Sequence, residues 1–143
     1  MRATLAFFLL MVLSAGLVAG CGGSDAKTAE EVVSSWSRAL NAGDNEAAAD
    51  LFADGAVVMV GQQTTLAGHE DALAFNASLP CGGRIVEQSR KGDDVTATFT
   101  LTRRPDHMCD DTGETAMILF RVEDGKITLW HQLPSRDAST ETA

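Results

Sequence analysis

The chain contains no tyrosine, and aromatic residues make up only 6% of its 143 positions. Any mechanism that needs a phenol as acid, nucleophile or oxyanion donor is therefore closed to it. Positive charge is scarce as well: 11 Lys+Arg stand against 20 Asp+Glu, a formal net charge of -9. Nucleic-acid binding and electrostatic docking on anionic lipid both need clustered Lys and Arg, so the balance argues against both partners. The chain also lacks a glycine-rich phosphate loop, a Gly-x-Ser-x-Gly elbow and any internal repeat. Its length suits one domain.

Only one long hydrophobic run is present. Arg2 is followed by the nearly continuous apolar stretch Ala3 to Val18, which ends in Ala19 and Gly20. A basic start, a short apolar run and a small-residue end describe a secretory signal peptide. Val18-Ala19-Gly20-Cys21 resembles the bacterial lipobox, which implies that Cys21 is lipidated on sulfur and becomes the new N-terminus. The expected organisation is a lipoprotein signal peptide at 1–20, a lipidated Cys with a flexible Gly/Ser tether at 21–27, a folded domain at 28–133 and a disordered tail at 134–143. The expected location is the bacterial cell envelope, outside the cytoplasm, with the membrane reached through the lipid.

Three cysteines remain a small number, and two of them, Cys81 and Cys109, lie outside the lipobox. An exported pair is expected to form a disulfide. Strand register supports it. A two-residue turn at Gly92-Asp93 pairs Lys91 with Asp94 and sets Cys81 opposite Arg104, five residues before Cys109, in a loop able to fold back.

Thr28-Ala-Glu-Glu31 reads as a capping box, and Val32, Val33, Trp36, Ala39 and Leu40 share one helical face. Gly43 ends this helix and Asp44 caps a second, striped by Ala47, Ala48, Leu51 and Phe52. A short strand follows at 56–60 after a turn at Asp54-Gly55, with 62–66 as a hairpin partner. A third helix runs from His69 to about Leu79 and stops before Pro80. From Arg84 the period becomes two: strands at 84–90 and 94–103, where Val95, Ala97, Phe99 and Leu101 alternate with threonines, then 114–122 and 126–133. The expected class is α+β, a cone-shaped roll of three N-terminal helices packed on a curved antiparallel sheet.

The sequence resembles the nuclear transport factor 2-like superfamily, with its SnoaL-like and ketosteroid-isomerase families and its cystatin-like cone. The residues that carry the resemblance are Ala42-Gly43-Asp44, the run from Leu51 to Ala56, the run from Ala67 to Ala72, and the run from Phe120 to Ile127. It implies a pocket between helices and sheet, and members that include isomerases, cyclases, dehydratases and non-catalytic modules. Placed on the isomerase pattern, the oxyanion Tyr falls on Trp36, the general-base Asp on Val60 and the protonated oxyanion Asp on Ile118. Trp offers only an N–H, and Val and Ile offer nothing, so proton abstraction loses its base.

The expected ligand pocket comprises Trp36, Val58, Val60, Phe75, Phe99, Ile118, Phe120, Trp130 and Gln132. The opposing reading is that these residues fill the core solidly. Which of them face inward depends on the last hairpin. A three-residue loop at Glu123-Asp124-Gly125 pairs Val122 with Lys126 and turns Ala116, Ile118, Phe120, Thr128, Trp130 and Gln132 to the pocket. A two-residue turn at Asp124-Gly125 flips the last strand. The first is preferred, and it leaves Met117, Leu119, Ile127 and Leu129 as an apolar outer face suited to homodimer formation. His69 and Asp54 are the remaining acid or base candidates, with His69 read first as a solvated helix start. The loop Asp106-His107-Met108-Cys109-Asp110-Asp111 has metal-ligand residue types but no ligand spacing, and reads as a polar, disulfide-anchored loop. Asn76-Ala77-Ser78 matches a glycosylation sequon inside a helix. No metal or other cofactor is expected. The functional expectation is a lipid-anchored, non-catalytic domain that binds a small apolar ligand or a protein partner. The alternatives are a SnoaL-like enzyme with a non-standard acid or base, and a structural dimerisation module.

Overall fold

The computed structural model describes residues 26–135. The expected signal peptide, Cys21 and most of the expected tail lie outside them. The order is α1 (Ala29–Asn41), α2 (Asn45–Ala49), β1 (Phe52–Val60), β2 (Gln62–Leu66), α3 (His69–Ser78), β3 (Gly82–Lys91), β4 (Asp94–Thr102), β5 (Thr115–Glu123) and β6 (Lys126–Leu133). The fold is α+β, with helices against one face of an antiparallel-rich sheet ordered β2-β1-β6-β5-β4-β3. The third helix follows the β1–β2 hairpin, as its place in the sequence implied. One expectation needs correction: β1 runs parallel to β6, so the sheet is mixed rather than purely antiparallel.

Local chemistry accounts for the helix starts. Thr28 N donates to Glu31 Oε2 at 2.7 Å and Glu31 N to Thr28 Oγ1 at 3.2 Å, which completes the capping box. Asp44 caps α2 through Ala47 N at 3.0 Å. That helix is only five residues long, because Leu51 and Phe52 leave it, and Phe52 enters β1 opposite Ile127. The turn expected at Asp54-Gly55 is an outward irregularity in β1, between the pairs Phe52↔Ile127 and Val57↔Leu129.

Beneath α1, the core joins Val32, Val33, Trp36 and Leu40 to Val95, Ala97 and Phe99 of β4 and to Phe120 and Trp130 of β5 and β6. The period of two seen in the β4 sequence is the physical record of this contact. A clamp ties α1 to β3. Asn41 Oδ1 accepts from Gly83 N at 2.9 Å, Asn41 Nδ2 donates to Gly83 O at 2.9 Å, and Ser37 Oγ donates to the same oxygen at 2.8 Å. Such an approach needs glycine: a Cβ at Gly82 would lie 2.1 Å from Asn41 Oδ1, and one at Gly83 would lie 2.9 Å from the Phe99 ring.

The last hairpin departs from the expected turn. Glu123 pairs with Lys126 across a two-residue turn in which Asp124 (φ 51) and Gly125 (φ 74) are both left-handed, the backbone of a tight hairpin. Trp130 still faces inward, because Val122 pairs with Ile127 but Arg121 pairs with Leu129. Thr128 is the extra residue of a bulge that restores the register. Two expectations fail with this arrangement: Ile127 is fully buried in the core, not on the outer face, and Thr128 does not line the cavity. That outer face carries Val57, Met59, Met117, Leu119, Leu129 and Leu133, all half-buried beside one another. Among the described residues no helix is long and apolar enough to cross a membrane.

Candidate functional site

A cavity of about 290 Å³ lies between α1 and the sheet. Trp36 and Leu40 come from α1, Val60 from the end of β1, Phe99 and Leu101 from β4, Ala116 and Ile118 from β5, and Trp130 and Gln132 from β6. The segment Leu79 to Gly83 closes one side, and Asp111 stands exposed at the mouth.

Six of the nine expected pocket residues, Trp36, Val60, Phe99, Ile118, Trp130 and Gln132, line this cavity. Val58 and Phe75 line a neighbouring groove between α3 and the β1–β2 hairpin, which shares Val60, Leu79 and Pro80 with the cavity. Phe120 lines neither. It is fully buried behind the cavity wall, with its ring centroid 5.3 Å from that of Trp36. The three positions that the isomerase pattern would fill with acid and base groups converge on one cavity, where they are Trp36, Val60 and Ile118.

The two indoles of the wall differ in what their N–H groups meet. Trp36 Nε1 donates to Asn76 Oδ1 at 2.8 Å, and Asn76 Nδ2 donates to Ala72 O at 2.8 Å. Asn76 is fully buried, so the apparent sequon is a core polar bridge, and a helix position inside the fold gives a glycan no room. Trp130, 3% exposed, has no acceptor for its Nε1 among the described residues. A buried donor without a partner costs about 1–3 kcal/mol.

Behind the rim lies Arg104, buried and without a carboxylate. Its guanidinium donates to the carbonyls of Asn76 at 2.8 Å and Leu79 at 2.9 Å, at the C-terminal end of α3, and to the Asn45 side chain. A cation there suits the negative end of the helix. Burial lowers its pKa from the ordinary arginine value. Nothing in the sequence marks Arg104, Asn41 or Asn76, because the backbone groups that Arg104 and Asn41 meet and the Trp36 indole that Asn76 meets are brought close only by the fold.

Cys81 and Cys109 are bonded, with Cα atoms 4.8 Å apart. The bond fastens the loop between β4 and β5 to the cavity wall, where Cys81 itself is a lining residue. The loop is further tied by Thr112 Oγ1 to Cys109 O at 2.8 Å and Gly113 N to Leu101 O at 2.9 Å. His107 in this loop reaches Ala77 O at 2.8 Å. Among the described residues no three His, Cys, Asp or Glu side chains converge as metal ligands would.

The two acid or base candidates lie elsewhere. His69 Nε2 is 2.7 Å from Glu46 Oε2 and Nδ1 is 3.3 Å from Asp50 Oδ1, at the half-exposed junction of α2 and α3. The hydrogen bond to Glu46 raises its pKa above 6.5 against some desolvation, helped by the charges of Glu46, Asp50 and Glu70. Asp54 is exposed in the irregularity of β1. Neither lines the cavity.

This architecture, helices against one face of a curved sheet, recurs among crystal structures. A nuclear transport factor 2-like protein of unknown function from Cytophaga hutchinsonii is 17% identical and superposes with a TM-score of 0.62 over 80% of this chain and 96% of its own. A putative polyketide cyclase from Sinorhizobium meliloti is 20% identical, with a TM-score of 0.60 over 71% of this chain and 93% of its own. A putative ketosteroid isomerase from Kribbella flavida is 18% identical, with a TM-score of 0.57 over 80% of this chain and 89% of its own. Identities this low establish the fold alone. No curated protein matches the chain. The model of the SnoaL-like domain matches residues 33–130, and the chain belongs to that family.

Proposed function

We propose that this SnoaL-like domain is a binding module that takes a small apolar molecule into the α1–sheet cavity and performs no acid–base chemistry on it. One observation carries the reading: the positions of the isomerase groups meet around the cavity as Trp36, Val60 and Ile118, while His69 and Asp54 lie away from it. An apolar wall built largely on aromatic rings fits a compact, mostly apolar ligand. Benzylacetone, an aryl ketone, tests both halves. It should bind saturably, as read by tryptophan fluorescence, and its α-protons should exchange in heavy water no faster than in buffer alone. Exchange accelerated by the protein would return the chain to the enzymes of its family.

The lipobox residues Val18-Ala19-Gly20-Cys21 support a further proposal, that the domain is held outside the cytoplasm by lipid on Cys21. Cys21→Ser should then release the protein from membranes or stall its processing. The apolar stretch Met117, Leu119, Leu129, Met59 and Val57 favours homodimer formation through the outer sheet face. Light scattering that gives a clean monomer at about tens of micromolar would count against it.

A further inference from the structure

The charges around the cavity are of one sign. Of its 15 lining residues only Asp111 is ionisable, and the adjoining groove contributes only Asp71. No Lys, Arg or His lines either space. Arg104, which bonds the carbonyl of the lining residue Leu79, is committed to that carbonyl, to the carbonyl of Asn76 and to the Asn45 side chain. Asp111 is held at the mouth by a built support. The Cys81–Cys109 bond lies two residues before it, and its carbonyl accepts from Glu114 N at 3.0 Å. Inside, the cavity is lined by the rings of Trp36, Phe99 and Trp130. Aromatic faces attract cations, and a carboxylate at the mouth attracts them further. An anion entering this space would meet no positive group to replace its lost water.

We infer that the cavity selects compact apolar molecules bearing a protonated amine and rejects anionic ones, with Asp111 as the carboxylate that receives the amine at the mouth. This rests on the binding reading above and adds to it the charge of the ligand.

Three probes of nearly equal size separate the outcomes: phenethylamine, phenethyl alcohol and phenylacetate. The reporter is built in, because the full chain has two tryptophans and both line the cavity. Titrations on the full chain should rank the amine first, the alcohol second and phenylacetate last. In Asp111→Asn the amine should lose roughly three- to fivefold in affinity, the scale of an exposed ion pair, with the alcohol unchanged. Phenylacetate binding as tightly as the amine, or an equal loss for amine and alcohol in Asp111→Asn, would overturn the inference and leave the binding reading standing. If none of the three binds, both fall. Ile118→Trp, which fills the cavity, separates binding there from binding elsewhere: amine affinity that survives this change also overturns the inference.

Discussion

Replacing both Cys81 and Cys109 by alanine should lower stability by an amount that the loop itself sets. The bond closes a ring with a sequence separation of 28 residues. On the chain-entropy model a ring of this size restricts the unfolded chain by about 3–4 kcal/mol. The native side loses little, since the Cα atoms sit 4.8 Å apart within the usual span for a disulfide. For a domain of this size each kcal/mol moves the melting midpoint by about 4 °C, so the double variant should melt ~12–16 °C lower. Calorimetry on residues 26–135, which excludes Cys21, measures it, with thiol titration of the denatured, unreduced protein alongside. Two free thiols in protein from an oxidising compartment would refute the bond. A midpoint shift below ~3 °C would refute the argument that the ring's entropy stabilises the fold.

Asn76→Ala should cost about 2–4 kcal/mol in denaturant unfolding, since it strands the Trp36 N–H and leaves a void beside it; a cost under ~0.5 kcal/mol would mean the bond is dispensable. Gly82→Ala should cost about 1–3 kcal/mol by pushing the Asn41 amide off the Gly83 backbone, and Asn41→Ala in the same background should add little further. His69 has a folded pKa raised above 6.5, so its contribution to stability is fully present below that value and is lost as pH rises through the higher folded value. Paired melts of the chain and His69→Gln should therefore differ in acid and converge in base; a difference that grows with pH would contradict the sign. Asp94, lowered from 3.8 by its hydrogen bonds to Arg121, works the other way. The advantage of the chain over Arg121→Ala should hold at neutral pH and fade only as pH falls through the depressed Asp94 value.

Much of this fold was written in local chemistry. The capping box at Thr28 and Glu31, the stop at Pro80, the turn at Gly92-Asp93 and the alternation from Val95 to Leu101 each depend on a few neighbouring residues, and each is present in the structure. The last hairpin shows the limit. Asp124-Gly125 is a strong signal for a two-residue turn, and taken alone it would have turned Trp130 outward. The bulge at Thr128 corrects the register, but nothing in Lys126-Ile127-Thr128-Leu129 announces it; burying both Ile127 and Trp130 is a demand of the assembled core. A second bulge at Val86 likewise shifts the β3 pairing, so that the Gly82 end of the strand is offset by one from the turn end. The cavity was legible as a set of apolar positions at core spacing. Its rim was not: Asp111 and the Leu79–Gly83 segment reach the mouth only because the disulfide and the glycine approach to Asn41 bring two distant loops together.

The central claim is that an apolar cavity, in which Trp36, Val60 and Ile118 occupy the isomerase positions, binds a small molecule beside Trp130. The two indole N–H signals in a nitrogen–proton correlation spectrum test it most directly, because the chain has two tryptophans and both line the cavity. On titration with benzylacetone both indole signals should shift saturably with one common affinity. Saturable binding that leaves both indole signals in place, or a titration in which neither signal responds, would contradict the account.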